Sequence, residues 1–443
     1  MYDVQFESLY PEDTWQESVG RILEIIHKGQ SCQVLGLPGV GRYMVLGILA
    51  FNKKVRLKHL GEKQKLYQFV YVDFSEIRNR PLSDVMKMMF LALADSLRDR
   101  KMHEEYEMVN TLLRNAISMQ DELVLTEELK HTIEQLASEK DIKVIYLFDR
   151  FEDYIPKIES TFFANLRLLR NRAKYHFSCV FALNKPLEEL LEPQILEDFY
   201  DLMVDNTVYL PLADIPSVDF RISHLEKLTG KKIPKEIVSE LLTLTGGHGK
   251  LMRMASESYL AQGDKPKDIE SFLLSQKIVI NALLEIWLSF SPMEQQYLVI
   301  RRDQKEEVDI TYFENVGLIK NNDLTIPLLK AYLSKTQTPQ KLTHQKILYD
   351  QATNRIMKGN LILSDDLTSS EFLLLRYLVL HPEKIVDRDE LISVVWGDNR
   401  STAGVTDQAL DQLLFRLRKK VEEDPAKPTH ILTVKGRGFK FVP

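Results

Sequence analysis

Apolar positions follow two rhythms along this chain. Ser31 to Leu35, Tyr67 to Phe74 (YQFVYVDF), Lys143 to Asp149 (KVIYLFD) and Phe177 to Leu183 (FSCVFAL) are nearly continuous apolar runs, the pattern of strands buried on both faces. Helical stretches separate them, beginning with an amphipathic helix over about 14 to 30, so a parallel sheet with crossover helices is expected. From about 214 to 275 the pattern is helical with frequent charges, and Leu283 to Leu333 predicts helices followed by a short apolar pair around the turn Asn321-Asn322-Asp323. Near the carboxyl end, Leu367 to Phe441 predicts three helices and a two-stranded ribbon. The third helix runs from about Val405 to Glu422, with Leu410, Leu414, Leu417 and Val421 as its buried stripe. Asp424-Pro425 ends it, and Ile431 to Val434 and Phe439 to Val442 form strands joined by Lys435-Gly436-Arg437-Gly438.

A chain of 443 residues exceeds one compact domain. The expected division is an α/β domain over 1–213, a helical lid over 214–275, a small helical and β module over 276–335, a linker over 336–344, and a carboxy-terminal domain over 345–443. The linker reading rests on the polar, proline-containing KTQTPQKLTH. With 44% hydrophobic and 28% charged residues, every domain can bury a core. The amino terminus lacks a basic start with an apolar run, and no stretch approaches about eighteen uninterrupted apolar residues, so a cytoplasmic protein away from membranes is expected. Cys32 and Cys179 sit in apolar runs, which suits reduced core thiols better than a disulfide, and no zinc spacing appears.

Charge changes the picture at the carboxyl end. From Gly404 to Pro443 eight Lys or Arg face five Asp or Glu, a local balance of +3 in a chain of formal net charge -6. Gln408, Gln412, Arg416 and Lys419 share a face of the third helix away from its apolar stripe. Gln and Arg match the donors and acceptors on base edges, which makes Gln408, Gln412 and Arg416 candidates for base reading. Arg418, Lys419, Lys435, Arg437 and Lys440 are candidates for phosphate or minor-groove contacts. The competing reading is a small helical domain with an ordinary solvated basic face.

The segment resembles the winged-helix effector domain of the OmpR/PhoB type. The resemblance is carried by Leu367-Thr368, Glu371-Phe372, Arg388 to Leu391, Val395-Trp396-Gly397, Arg416 to Lys420 and Thr433 to Phe439, with Tyr349-Asp350 and Arg355 to Leu363 similar to that family's small amino-terminal sheet. It implies double-stranded DNA as partner, the third helix in the major groove, and the wing on the minor groove or backbone. It also implies contact between the turn 398–404 and RNA polymerase, and tandem half-sites that suit a homo-oligomer on DNA. Leu413 and Lys435 depart from the family's usual polar residue and Arg, which bears on the target sequence. The receiver domain common in that family is not recognisable, so control by phosphotransfer is not expected.

In the first domain, a strand runs into Gly36-Leu37-Pro38-Gly39-Val40-Gly41-Arg42-Tyr43 and then a helix, an arrangement whose backbone N–H groups cradle phosphates. Gly36 and Gly41 satisfy G-x-x-x-x-G-K-[ST], but Arg42 stands for the lysine and Tyr43 for the hydroxyl residue that holds magnesium. Arg is not a free substitute for a lysine's point charge, so phosphate binding is expected with weak or no hydrolysis; a glycine turn kept for packing is the alternative. Asp149, at the carboxyl end of its strand, is the candidate magnesium acid, Glu152 the candidate for polarising water, and Asn184 a candidate γ-phosphate sensor. GLPGVGR at 36–42, FDRFED at 148–153, TVYLPLA at 207–213 and Leu244 to Lys250 resemble the STAND class of signalling P-loop ATPases, relatives of the AAA proteins. Gly249 stands where that class has a proline. The resemblance implies ATP or ADP with Mg as a switching ligand, His248 and Arg253 near it, and an internal winged helix over 276–335. His248 can alternatively serve only to shape the helix start. The whole reads as a multidomain α/β plus α+β transcription regulator under a nucleotide-binding module. The alternative is an active ATPase of a defence or remodelling system that uses its winged helix to locate DNA.

Overall fold

The computed structural model describes the chain outside residues 1–4, 79, 120, 204, 263–265, 301–309, 337–345, 351–354, 359–360, 365–366, 398–406, 423–424 and 426, and outside the side chains of 292, 293, 296, 300, 336, 361, 362, 407 and 408. The linker expected at 336–344, apart from the helix end at Thr336, and the turn at 398–404 expected to touch RNA polymerase lie outside the described residues. The chain forms two compact units, residues 1–283 with 312–329 and residues 284–311 with 330–443, so elements of the stretch 276–335 contribute to both.

The first unit is built on a five-stranded sheet in the order β2-β3-β4-β1-β5, parallel throughout. Its strands are β1 (Cys32–Leu35), β2 (Tyr67–Asp73), β3 (Lys143–Asp149), β4 (Phe177–Leu183) and β5 (Thr207–Tyr209). The four apolar runs become β1 to β4, as helix-covered parallel strands require. TVYLPLA supplies a shorter strand than its apolar run suggests, ending at Tyr209, with a last hydrogen bond from the Leu210 N–H to the Leu35 carbonyl at 2.8 Å. The amphipathic helix at the start is Gln16–His27. Between β2 and β3 the chain inserts the helices Leu82–Asp99, His103–Met119 and Glu122–Lys140, which pack against one another. The strands' carboxyl ends lie along one edge, bringing Gly36, Asp149 and Asn184 together, and the lid helices Ile215–Thr229, Lys235–Thr245 and Gly249–Ala261 follow β5. Asn321 and Asn322 take φ of 51° and 63° between β6 (Ile319–Lys320) and β7 (Asp323–Leu324), the left-handed pair that closes a two-residue hairpin.

In the second unit β8 (Ile347–Asp350), β9 (Arg355–Lys358) and β10 (Leu361–Ile362) form an antiparallel sheet. The helices Ser369–Leu380, Arg388–Trp396 and Asp407–Val421 follow, then β12 (Ile431–Val434) and β13 (Gly438–Phe441). A short strand that periodicity does not reveal, β11 (Ile385–Val386), pairs with β13 and completes a three-stranded wing sheet. β13 begins and ends one residue earlier than its apolar pattern suggests, because Gly438 already pairs with Val434. Leu374, Leu378, Leu391, Leu410, Leu414, Leu417 and Phe441 meet in one core. Thr368 and Glu371 form a reciprocal capping box at the first helix. The buried Lys358 donates to the Val421 carbonyl at 2.9 Å and so closes the third helix at its negative end. The helix Pro292–Ile300 of this unit packs against that third helix.

Candidate functional site

The glycine loop is positioned from both sides. Gly36 donates its N–H to the Leu183 carbonyl at 3.2 Å, which ties the loop to the end of β4, and Gly41 precedes the helix Arg42–Phe51. The lid closes directly on the loop. Lys250 donates its backbone N–H to the Gly39 carbonyl at 2.9 Å, and a Cβ at Gly249 would stand 2.9 Å from the Val40 carbonyl oxygen. The resembled class's proline therefore has no room here.

His248 is fully buried and links the same two parts. Its Nδ1 accepts from the Leu251 N–H at 3.3 Å as the cap of the lid helix, which leaves Nε2 as the donor to the Pro38 carbonyl at 2.9 Å. Burial pushes its pKa down to about 4, with the nearby Lys250 adding to the effect. Arg253, further along the helix, is exposed.

Arg42 is engaged within the protein. Its guanidinium lies 2.6 Å from Glu152 Oε1, the same oxygen that accepts the Asn184 backbone N–H at 2.7 Å. Glu152 is set by its neighbour Phe151, whose ring is buried among Phe74 and Phe181 at centroid distances of 4.9 and 5.0 Å. Asn184 in turn accepts a 2.7 Å hydrogen bond from the Tyr312 hydroxyl on its backbone carbonyl. The side-chain Oδ1 of Asn184 is buried without a hydrogen-bond partner. Asp149 is buried, accepts from the Tyr71 hydroxyl at 2.6 Å and from the Arg150 N–H at 3.0 Å, and has its pKa raised chiefly by burial. Tyr43 faces outward, 44% exposed, and accepts from Arg221 at 2.8 Å. Tyr71, Arg221 and Tyr312 are members of this network that the sequence alone did not signal, since each comes from an element distant in sequence.

This donor set fits a phosphate chain and not a magnesium ion. The loop, the helix start and Arg42 can meet an anion, with Arg42 exchanging its partner. The position that supplies a hydroxyl to magnesium holds an outward phenol, and the Asp149 carboxylate already accepts two hydrogen bonds. Among the described residues no group of three or more His, Cys, Asp or Glu side chains could hold a metal ion.

At the carboxyl end the third helix turns Leu410, Leu413, Leu414, Leu417 and Val421 inward and leaves Asp411, Gln412, Phe415 and Lys419 exposed, with Arg416 half-buried. Gln408 lies on this helix, its side chain outside the described residues. Arg418 faces the wing: it donates to the Ile431 carbonyl at 2.6 and 3.0 Å and to Thr433 Oγ1 at 2.8 Å, fastening helix to ribbon. The buried Glu422 completes that junction by accepting the backbone N–H groups of Thr429, His430 and Ile431 at 2.8, 3.0 and 2.5 Å. Lys435, Gly436 and Arg437 project exposed from the hairpin tip, while Lys440 pairs with Glu383 at 2.8 Å. A Cβ on Gly438 would stand 2.0 Å from the Val386 carbonyl, and its φ of 116° lies where L residues are strained, so only glycine fits this close approach to β11.

The family model described as "Transcriptional regulatory protein, C terminal" matches residues 365–441. This segment is an OmpR/PhoB-type winged-helix domain. A domain of this type binds DNA, and the same chain also carries a P-loop NTPase-like sheet. The transcriptional regulatory protein YvrH of Bacillus subtilis is 30% identical over 119 residues, covering 26% of this chain and 49% of that protein. The chain thus spans about half the length of that curated relative. Among solved structures, the Klebsiella pneumoniae RstA DNA-binding domain in complex with the RstA box is similar at 25% identity and TM-score 0.19, covering 23% of this chain and 97% of that one. A Walker-type ATPase of Pyrococcus abyssi is similar at 16% identity and TM-score 0.45, covering 75% of this chain and 97% of that one. Among the described residues no helix is long and apolar enough to cross a membrane.

Proposed function

We propose that this chain is a cytoplasmic, sequence-specific transcription regulator in which the phosphate loop governs when the OmpR/PhoB-type winged helix meets its operator. The observation that carries the control is the unbroken series from Arg42 through Glu152 and the Asn184 backbone to Tyr312. On binding ATP or ADP at the loop, Arg42 would exchange Glu152 for a phosphate oxygen, and Glu152 would be left with the Asn184 N–H alone. The Asn184 carbonyl accepts from the hydroxyl of Tyr312, the residue at which the chain re-enters the first unit after 284–311. That intervening segment includes the helix Pro292–Ile300, which packs on the groove-reading helix. Differential contacts of this kind are what a ligand needs to shift a two-state equilibrium. Hydrolysis is left out, because the position that would supply a hydroxyl to a metal holds the outward phenol of Tyr43.

Gln412 and Arg416 serve as base readers together with Gln408; Lys419, Lys435 and Arg437 serve as phosphate or minor-groove contacts. Lys440 and Arg418 are drawn partly into internal pairing and act by holding the wing. The test is operator selection with the full chain, followed by affinity with and without ATP or ADP in chelator. A nucleotide response that Tyr312→Phe abolishes supports the reading; an unaltered response in that variant contradicts it.

A further inference from the structure

Among the described residues, the exposed row of the third helix contains one with nothing polar to offer. Phe415 is 55% exposed, three residues beyond Gln412 and four before Lys419, so its ring lies between them on one helix face. The Lys419 ammonium sits 4.9 Å from the ring centroid, which leaves the charge at the edge of the row and the ring toward its middle. The neighbouring Asp411 is held by Arg388 at 2.6 Å and does not compete for that space. The stripe Leu410, Leu413, Leu414, Leu417 and Val421 already fills the core side of the helix, so Phe415 is not a core residue displaced.

A phenyl ring in the middle of a groove-facing row can accept no phosphate and make no hydrogen bond to a base edge. The major groove offers a single apolar feature on its floor, the C5 methyl group of thymine. We infer that Phe415 is a specificity-determining residue that packs on a thymine methyl in each half-site, next to the base pair addressed by Gln412. The inference rests on the DNA-reading role of this helix and deepens it by naming the base chemistry.

The test uses the full-length protein and the operator it selects from random duplexes. Each thymine of a half-site is replaced in turn by deoxyuridine, which removes the methyl and keeps every hydrogen-bonding atom. One position should lose about fourfold in affinity, the equivalent of one buried methyl group. Phe415→Ala, at an exposed position that does not threaten folding, should bind the thymine site about as weakly and no longer distinguish thymine from deoxyuridine; Phe415→Leu should retain part of the discrimination. If no deoxyuridine position weakens binding, or if Phe415→Ala discriminates as the parent does, the assignment is wrong and the ring serves a protein contact. If no sequence is selected at all, the operator-reading role of the winged helix falls first, and this inference with it.

Discussion

His248 shows how far a single residue can be read. Its place in Gly-Gly-His-Gly before a helix marked it as either a ligand neighbour or a helix-start residue, and the structure makes it a cap whose other nitrogen holds the phosphate loop. Its burial was not visible, because the loop that covers it lies more than two hundred residues away in sequence. The neutral ring has a consequence for pH. With a folded pKa of about 4 against an ordinary value of 6.5, the unfolded chain binds more protons between those values. Stability is therefore full above pH 6.5 and is lost as pH falls toward 4, by about 3 kcal/mol at most. Urea unfolding of the first unit at pH 7 and pH 4.5 should show this loss, and His248→Asn, which keeps a capping side chain, should reduce it. At the DNA face, Lys419→Ala should weaken all duplexes alike and lower the salt dependence of binding, whereas Arg416→Ala should cost about 1 to 3 kcal/mol on the selected site and relax one base pair. Footprints and affinities on matched and single-mismatch duplexes distinguish the two.

At the scale of elements, continuous apolar runs gave β1 to β4 nearly to the residue, since a strand covered on both sides leaves no room for polar interruption. The Asn321-Asn322 turn was equally legible, because few residues other than glycine accept its two left-handed conformations. Short elements were not. β11 has two residues, too few to carry a period, and exists because β13 needs a partner on its second edge. Glu422 gave no signal either, being one acid among several at a helix end, yet it accepts three successive backbone N–H groups, of which those of His430 and Ile431 are buried and would otherwise be unpaired. Glu422→Ala should destabilise the winged helix by about 3 kcal/mol in denaturant unfolding. Gly438→Ala should open β13 from β11 and abolish operator binding while the first unit still unfolds cooperatively at its original midpoint.

For the whole molecule, the motif residues mark where the loop departs from G-x-x-x-x-G-K-[ST], and the structure shows what those residues pair with. Arg42 in place of the lysine and Tyr43 in place of the magnesium-holding hydroxyl were visible in the sequence; their partners Glu152 and Arg221 were not predictable, because their pairing depends on the tertiary fold. The result is a loop whose cation already has an internal anion, so that any phosphate must compete with Glu152. On the proposed function, this competition is transmitted through Asn184 and Tyr312 to operator binding. Its most direct measurement is the affinity of the full-length protein for its selected operator, titrated with ATP and ADP in the presence of a metal chelator, in the parent and in Tyr312→Phe. A nucleotide-dependent change in affinity without metal is expected in the parent and none in the variant. An affinity indifferent to both nucleotides, or a response that requires magnesium and survives Tyr312→Phe, would contradict it.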